Sequence, residues 1–227
     1  MGIVMMAIKN YIKKKARYLV NQLQYVSRYQ DLMYLKSRFY PNTSILSMNC
    51  FAGHIYQDLH WTYTSPTAGL FFYAEDFCHL IEDIEILKRP ILFRPLSKWK
   101  SANEKMPKRE HWYPIGYFEG TDIEIHFLHY HTEKEALDKW NRRISRFNFD
   151  DFIAIGFQQN ECTKDHIERF SKAPIKKKVF FTNIDMNLES VIYIDEFKGK
   201  KDSPDPYKYV NIYYKYLAKY LKVHPYQ

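Results

Sequence analysis

Asn49, Cys50 and His54 stand close together where an apolar run ends, in Ser44-Ile45-Leu46-Ser47-Met48-Asn49-Cys50-Phe51-Ala52-Gly53-His54. The run reads as a short buried strand that stops at a turn of small and polar residues. A thiol at the amino end of a helix, with an imidazole beside it, has the makings of a nucleophile. The helix end favours the thiolate, and the imidazole takes the proton. The same cysteine equally suits a small buried hydrophobe, as free cysteines commonly are.

In α/β proteins, ligands bind beyond the carboxyl ends of the strands. That rule gathers Asn49, Cys50 and His54 after the first strand, and Glu75 and Asp76 after Leu70–Tyr73. His129 and His131 follow Asp122–Leu128, Gln158 and Gln159 follow Phe152–Phe157, and Thr182, Asn183 and Asp185 follow Lys178–Thr182. His129 and His131 share the parity of Ile123, Ile125 and Phe127, so they are expected to point inward. His126 shares the parity of Asp122 and Glu124 and is expected to meet water. Two inward imidazoles are either satisfied core residues or site residues. A metal centre is not expected, because His126, His129 and His131 divide between two faces of a strand.

On the next helix, Trp140-Asn141-Arg142-Arg143 offers a ring, an amide and two guanidiniums within one turn. Trp140 reads as core or as a ring against substrate. Arg142 and Arg143 read as surface charges or as ligands for phosphate or carboxylate. Asp122-x-Glu124 and Asn183-x-Asp185 faintly echo the acid pairs that hold a divalent ion in nucleotide-sugar enzymes, and a solvated strand face accounts for the first. With seven glycines in the chain, neither a G-x-G-x-x-G turn nor a Walker-type loop occurs, and no G-x-S-x-G elbow is present. The catalytic candidates are therefore Cys50, His129, His54 and Asn49. The substrate-binding candidates are His131, Asp76, Trp140, Arg142, Arg143 and Asn183. No cofactor is named by these residues.

The elements that must position these groups alternate along the chain. Residues 7–37 carry a helical stripe of Ile12, Ala16, Leu19, Leu23, Val26 and Met33, broken at Gln30. It must bury against the body of the domain or a second copy of the chain. Strands are expected at Ser44–Cys50, Leu70–Tyr73, Ile91–Arg94, Tyr113–Phe118, Asp122–Leu128, Phe152–Phe157, Lys178–Thr182 and Val191–Ile194. Helical segments are expected at Gly53–His60, Glu75–Leu87, from Thr132 to about Phe147, Thr163–Ser171 and Tyr207–Leu221. Thr132-Glu133-Lys134-Glu135 is a capping box. Pro95–His111 is a long polar loop, the kind that serves as a lid or binding loop or stays disordered.

The expected class is α/β: three αβα layers on a mixed, mostly parallel sheet, the hairpin near residue 120 making it mixed, plus a long N-terminal helix. Residues 1–43 form that basic helix, 44–197 the core, and 198–227 a linker and a closing helix on the core.

Composition narrows the function classes. The chain has 227 residues, 46% hydrophobic and 18% aromatic, with 20 Tyr and 16 Phe. The net charge of +8 is concentrated at the ends: residues 1–38 carry +7, residues 198–227 carry +5, and the middle is acidic. A nucleic-acid binder carries its basic face on the body of the domain, so nucleic acid is not the expected partner. Basic ends suit a solvated helix face, an anionic membrane surface or an acidic protein, with residues 8–38 as the docking element. Three cysteines without C-x-x-C argue against a disulfide framework and for a reducing compartment. The early apolar run is too short for a signal core or a membrane span. The expected location is the cytoplasm, at most peripheral to the inner membrane.

Several of these segments occur together in a known order. Ser47-Met48-Asn49-Cys50-Phe51-Ala52-Gly53 comes first, then Tyr63-Thr64-Ser65-Pro66-Thr67-x-x-Leu70-Phe71, then Tyr113-Pro114-Ile115-Gly116. His129-Tyr130 follows, with Glu135-Ala136-x-x-Lys139-Trp140-x-Arg142-Arg143 behind it. From about Ser44 to about Asn183 the chain resembles a bacterial domain-of-unknown-function family often labelled exopolysaccharide biosynthesis protein. The resemblance implies an α/β fold and a setting in capsule or surface-polysaccharide synthesis, with a sugar or polysaccharide precursor as substrate. It implies no catalytic residues. Two functions compete: a glycosyl- or acyltransferase, and a non-catalytic glycan-binding or assembly protein docked through the basic helix.

Overall fold

A computed structural model describes Val26 and residues 28–39, 43–108 and 112–225. Most of the helix expected over 7–37 lies outside the described residues, and its described part is helical over 28–38 (α1). The elements that follow are β1 (Ser44–Ser47), α2 (Phe51–Asp58), α3 (Ala74–Glu82), β2 (Ile91–Arg94) and α4 (Lys100–Lys105). Then come β3 (Ile115–Phe118), β4 (Glu124–His126), α5 (Glu133–Ile144), β5 (Phe152–Phe157) and α6 (Lys164–Lys172). The last are β6 (Lys177–Thr182), β7 (Val191–Tyr193) and α7 (Val210–Val223).

The fold is α/β. Four parallel strands form one sheet in the order β1-β5-β6-β7. Ser44 pairs with Phe152, and Phe157 pairs with Phe181. Every residue of β1 is buried, as expected for a parallel strand covered on both faces. Side chains alternate between two helical layers. On one face Phe157 and Phe181 meet Phe51 of α2 and Tyr213 of α7, with ring centroids 5.1–5.8 Å apart. On the other face Phe180 meets Phe170 of α6 at 5.0 Å, and Phe77 of α3 packs on Phe170. Gly156 lies beneath that second cluster, where an added Cβ would stand 2.2 Å from the Phe180 ring.

The hairpin expected to make the sheet mixed builds a separate one. β2, β3 and β4 form a three-stranded antiparallel sheet, with Ile91 opposite Phe118 and Ile115 opposite His126. Ile91–Arg94 pairs with β3 at the edge of that sheet and not with the parallel sheet. α5 covers this sheet through Trp140, which meets Phe118 at 5.6 Å and Phe127 at 6.3 Å.

The strand expected at Leu70–Tyr73 is a single antiparallel bridge, Phe71 to His126. Gly69, at φ +82°, turns the chain immediately before it, and α3 begins immediately after, so no longer ladder fits. Its neighbour Phe72 donates to the Met48 carbonyl at 2.9 Å. These few residues are the seam between the two sheets. The expected strand Ser44–Cys50 also stops early, at Ser47, because the chain bends at Met48 and Asn49 into α2.

Pro95–His111, read as a loop, holds α4 and a 3-10 turn at Met106–Lys108. Trp99 anchors it, stacked on Tyr73 with centroids 4.5 Å apart and planes 9° apart. Among the described residues, no helix is long and apolar enough to cross a membrane.

Candidate functional site

Beyond the carboxyl end of β1 lies a cavity of about 530 Å³, open between α2, the loop at 63–69, the turn at 128–130, α5 and the approach to α7. The strand gives way to helix there because of Asn49. Its Oδ1 accepts the Phe51 N–H at 3.0 Å, satisfying a donor that the first turn of α2 leaves open. Its Nδ2 donates to Gln159 Oε1 at 2.8 Å, tying the ends of β1 and β5 together. Asn49 is thus a strap at the strand ends, and it faces the neighbouring cavity rather than this one.

Ala68, Gly69 and Tyr130 make one side of the cavity. The Tyr130 hydroxyl donates to the Ala68 carbonyl at 2.6 Å, and Arg143 Nη1 donates to the same oxygen at 2.7 Å. Arg143 also donates to the Tyr130 hydroxyl, and its guanidinium lies 4.9 Å over the Tyr63 ring. A Cβ at Gly69 would approach the Tyr130 ring to 3.2 Å, and the residue's positive φ already disfavours any side chain. Lys139 sits 5.4 Å over the Tyr130 ring and pairs with Glu135 at 2.9 Å. Two cations and two tyrosine rings therefore share this side.

His54 lies opposite, its ring 5.2 Å from Tyr207. Burial lowers its pKa, outweighing nearby Asp58 and Asp205, which favour the protonated ring. The imidazole is accordingly neutral near pH 7 and able to accept a proton. His129 lines the cavity from the turn after β4, where its backbone N–H donates to Gly69 at 3.1 Å.

Cys50 lines the cavity too, but burial pushes its thiol up to about 12, and the charge of Asp205 adds to that. The thiol donates to the Leu70 carbonyl at 3.6 Å. Burial outweighs the helix amino end and favours the thiol over the thiolate at neutral pH, which weighs against the nucleophile reading. The Cys50 side chain is half-buried and lines the cavity wall.

The other expected site residues lie elsewhere. His131 is exposed, outside the cavity, with its N–H donating to Glu135 at 3.2 Å. His129 is exposed as well, whereas His126 and Glu124, expected to face water, are fully buried. The parity argument fails because β4 ends at His126 and the chain then turns. β4 is also packed on both faces, so alternation does not separate inside from outside. Trp140 is a core ring. Arg142 points away on an exposed face, its carbonyl accepting from Ser145 and Arg146. Asn183 is buried, its N–H donating to Gln158 at 3.0 Å and its amide donating to the Lys200 carbonyl.

Asp76 belongs to a separate buried cluster. It accepts from Lys98 Nζ and Trp99 Nε1, each at 2.6 Å. Burial raises its carboxyl to about 6 despite both donors. Glu124, close by, accepts from Ser97 at 2.5 Å and from the Lys98 N–H at 2.8 Å. Burial works to raise Glu124, but hydrogen bonds from His126, Ser97 and Lys98 outweigh it and hold the carboxyl below its usual range.

Of the expected residues, the fold brings Cys50, His54, His129 and Arg143 to one cavity. It adds Tyr63, Tyr130 and Lys139, all present in the ordered segments of the family resemblance. It also adds Gln57, Asp205 and Tyr207, which lacked any local signal. Asp205 and Tyr207 come from around the end of a stretch without apolar periodicity, and only the docking of α7 carries them to the site.

A family model described as a domain of unknown function (DUF1919) matches residues 22–224. An uncharacterized protein of Haemophilus influenzae strain Rd is 29% identical over 205 residues, covering 89% of this chain and 87% of its own length.

Proposed function

Because the chain belongs to the DUF1919 family, whose description names no chemistry, we propose its function from the cavity: it binds a phosphate-linked sugar and transfers the glycosyl group to a polysaccharide precursor. Arg143 and Lys139 hold the phosphate, and Tyr63, Tyr130 and Tyr207 flank the sugar or its carrier. The observation that carries this reading is the meeting of two cations, three tyrosines and a neutral imidazole in one open cavity beyond a parallel strand end. Cations held over aromatic rings suit an anion joined to a ring. The family resemblance supplies the polysaccharide setting. An acyltransferase acting through Cys50 is the weaker form of the idea, because its thiol is protonated at neutral pH. We place the protein on the cytoplasmic side, working at the inner-membrane surface.

A non-catalytic glycan-binding or assembly role remains the second reading. It is favoured by the basic ends of the chain, to which α7 contributes Lys215, Lys219 and Lys222.

Thermal shift and calorimetry test the first reading with nucleotide sugars, uridine diphosphate, inorganic pyrophosphate and neutral glycans. Ligands of the folded state raise the Tm. Phosphate-bearing ligands are expected to do so, and Arg143→Ala is expected to weaken them about tenfold or more, the loss of one charge-assisted contact. A shift with neutral glycans alone supports the second reading. No shift with any phosphate-bearing ligand removes the first.

A further inference from the structure

A second cavity, of about 750 Å³, adjoins the first, and the two share Cys50, Leu128, Asp205 and Pro206 as a common wall. Its character differs. The first presents Arg143 and Lys139, whereas the second mixes Lys105 and Lys201 with Glu161 and Asp202 and adds amides and the hydroxyls of Tyr73, Ser101 and Ser203. Such a lining offers donors and acceptors in alternation without a net pull for an anion.

Two features show that this second space is built rather than incidental. Asn160 and Glu161, at the carboxyl end of β5, adopt φ values of +53° and +65° in succession. Consecutive left-handed residues other than glycine are uncommon and are held only where surrounding contacts insist. Here Asn160 donates to the Phe72 carbonyl at 3.0 Å and accepts the Ala74 N–H at 3.1 Å, while Glu161 accepts from Ser101. The opposite wall is also tethered. Gln159 Nε2 donates to the Ser203 carbonyl at 2.7 Å, the Ser203 N–H donates to the Gln158 carbonyl at 2.7 Å, and the Tyr213 hydroxyl donates to the Pro204 carbonyl at 2.6 Å.

Those bonds fix the position of Asp205. Its Oδ1 accepts the Tyr207 N–H at 2.9 Å, and among the described residues no cation lies within ion-pairing distance of the carboxylate. Its charge reaches Cys50 and His54: it adds to the upward push of burial on the thiol and opposes, without overcoming, the downward push of burial on the imidazole. This exposed carboxylate stands where two cavities meet, one oxygen bonded within its own turn and the other to spare, and so lies between whatever the two cavities hold.

We propose that the second cavity takes a neutral, hydroxyl-bearing sugar acceptor and that Asp205 is the catalytic base that takes the proton of its attacking hydroxyl. This rests on the glycosyl-transfer reading of the first cavity. The acceptor oxygen forms a bond to the anomeric carbon, and its proton passes to the Asp205 carboxylate. The bond from the anomeric carbon to the phosphate oxygen breaks, and its electron pair leaves on that oxygen, where Arg143 and Lys139 neutralise it.

The test uses the full chain and Asp205→Asn, with uridine diphosphate as the binding probe. UDP-glucose, UDP-galactose and UDP-N-acetylglucosamine serve as donors and neutral octyl glycosides as acceptors, with products read by mass spectrometry. The variant is expected to keep its fold and to bind uridine diphosphate at least as tightly, since a negative charge near the phosphate is gone. Transfer is expected to fall by about 100-fold or more, with loss of the acidic limb of the pH–rate profile. Glu161→Gln is expected to raise the acceptor KM about tenfold with the uridine diphosphate Kd unchanged. Asp205→Asn retaining more than about a tenth of the wild-type rate, or a wild type that binds uridine diphosphate and transfers to no acceptor, overturns the proposal. Wild type that does not bind uridine diphosphate overturns the donor reading beneath it, a distinct result.

Discussion

Phe71 and His126 are joined twice. Each backbone N–H donates to the other's carbonyl at 3.0 Å, and their rings stack with centroids 4.6 Å apart and planes 18° apart. Tyr73 and Tyr113 close around the same imidazole, at 5.2 and 5.9 Å. This contact fastens the antiparallel sheet to the segment that also bonds the end of β1. His126→Ala should therefore cost about 2–4 kcal/mol, as the loss of a buried ring with its hydrogen bonds. His129→Ala, at an exposed turn, should change stability by less than about 0.5 kcal/mol. Chemical denaturation of both variants checks this, and equal effects would mean that the inside–outside assignment of the two histidines is wrong.

Asp76 makes a prediction about pH. Its carboxyl titrates near 6 in the folded protein, above the 3.8 of an unperturbed aspartate. Between those values the folded state holds a proton that the unfolded state has lost. Stability from this group is thus present at low pH and is lost as pH rises through about 4 to 6. Asp76→Asn should remove that slope. Relative to wild type, the variant should gain on the order of 2–3 kcal/mol between pH 4 and pH 7, less whatever Lys98 loses with its partner. Urea titrations of both proteins at several pH values measure the difference, and parallel curves would show that Asp76 is not so perturbed.

Gly69→Ala tests the cavity's tyrosine side. The substitution meets a positive φ, costing about 1–2 kcal/mol, and its Cβ falls 3.2 Å from the Tyr130 ring. Tyr130 must move, and with it the hydroxyl shared with Arg143. A lowered Tm together with weaker pyrophosphate binding is expected. A lowered Tm with unchanged binding would separate Tyr130 from the ligand.

The cysteines should be inert. Burial is the largest cause that pushes Cys50, Cys78 and Cys162 each up to about 12. Iodoacetamide at pH 7.5 should label the native chain at least about 100-fold more slowly than the unfolded chain, in which thiols titrate near 8.5. Rapid labelling of Cys50 alone would restore the nucleophile reading.

How much was legible depended on how local the information was. Phe152–Phe157 could be read to its ends because a covered parallel strand is apolar throughout. The capping box could be read because it closes within one turn: Thr132 accepts the Glu135 N–H at 3.1 Å. The end of β1 was legible as the edge of a cavity, which Cys50, His54, His129 and Arg143 line, since strand ends in this class face a cleft whatever their chemistry. Trp140 and Arg142 were misleading as site residues because adjacent helical positions face different ways, and nothing local says which faces the cleft.

What the sequence by itself determined is the class of the fold, the parallel strands, the caps and the neighbourhood of the site, because propensity, periodicity and capping act over a few residues. Tertiary structure alone decided that His126 is buried and His129 exposed, that burial pushes the Cys50 thiol up, and that Asp205 and Arg143 line one cavity. Burial and long-range charge set those outcomes. Both depend on which distant segments dock: α7 must pack on the sheet before Asp205 can reach the end of β1.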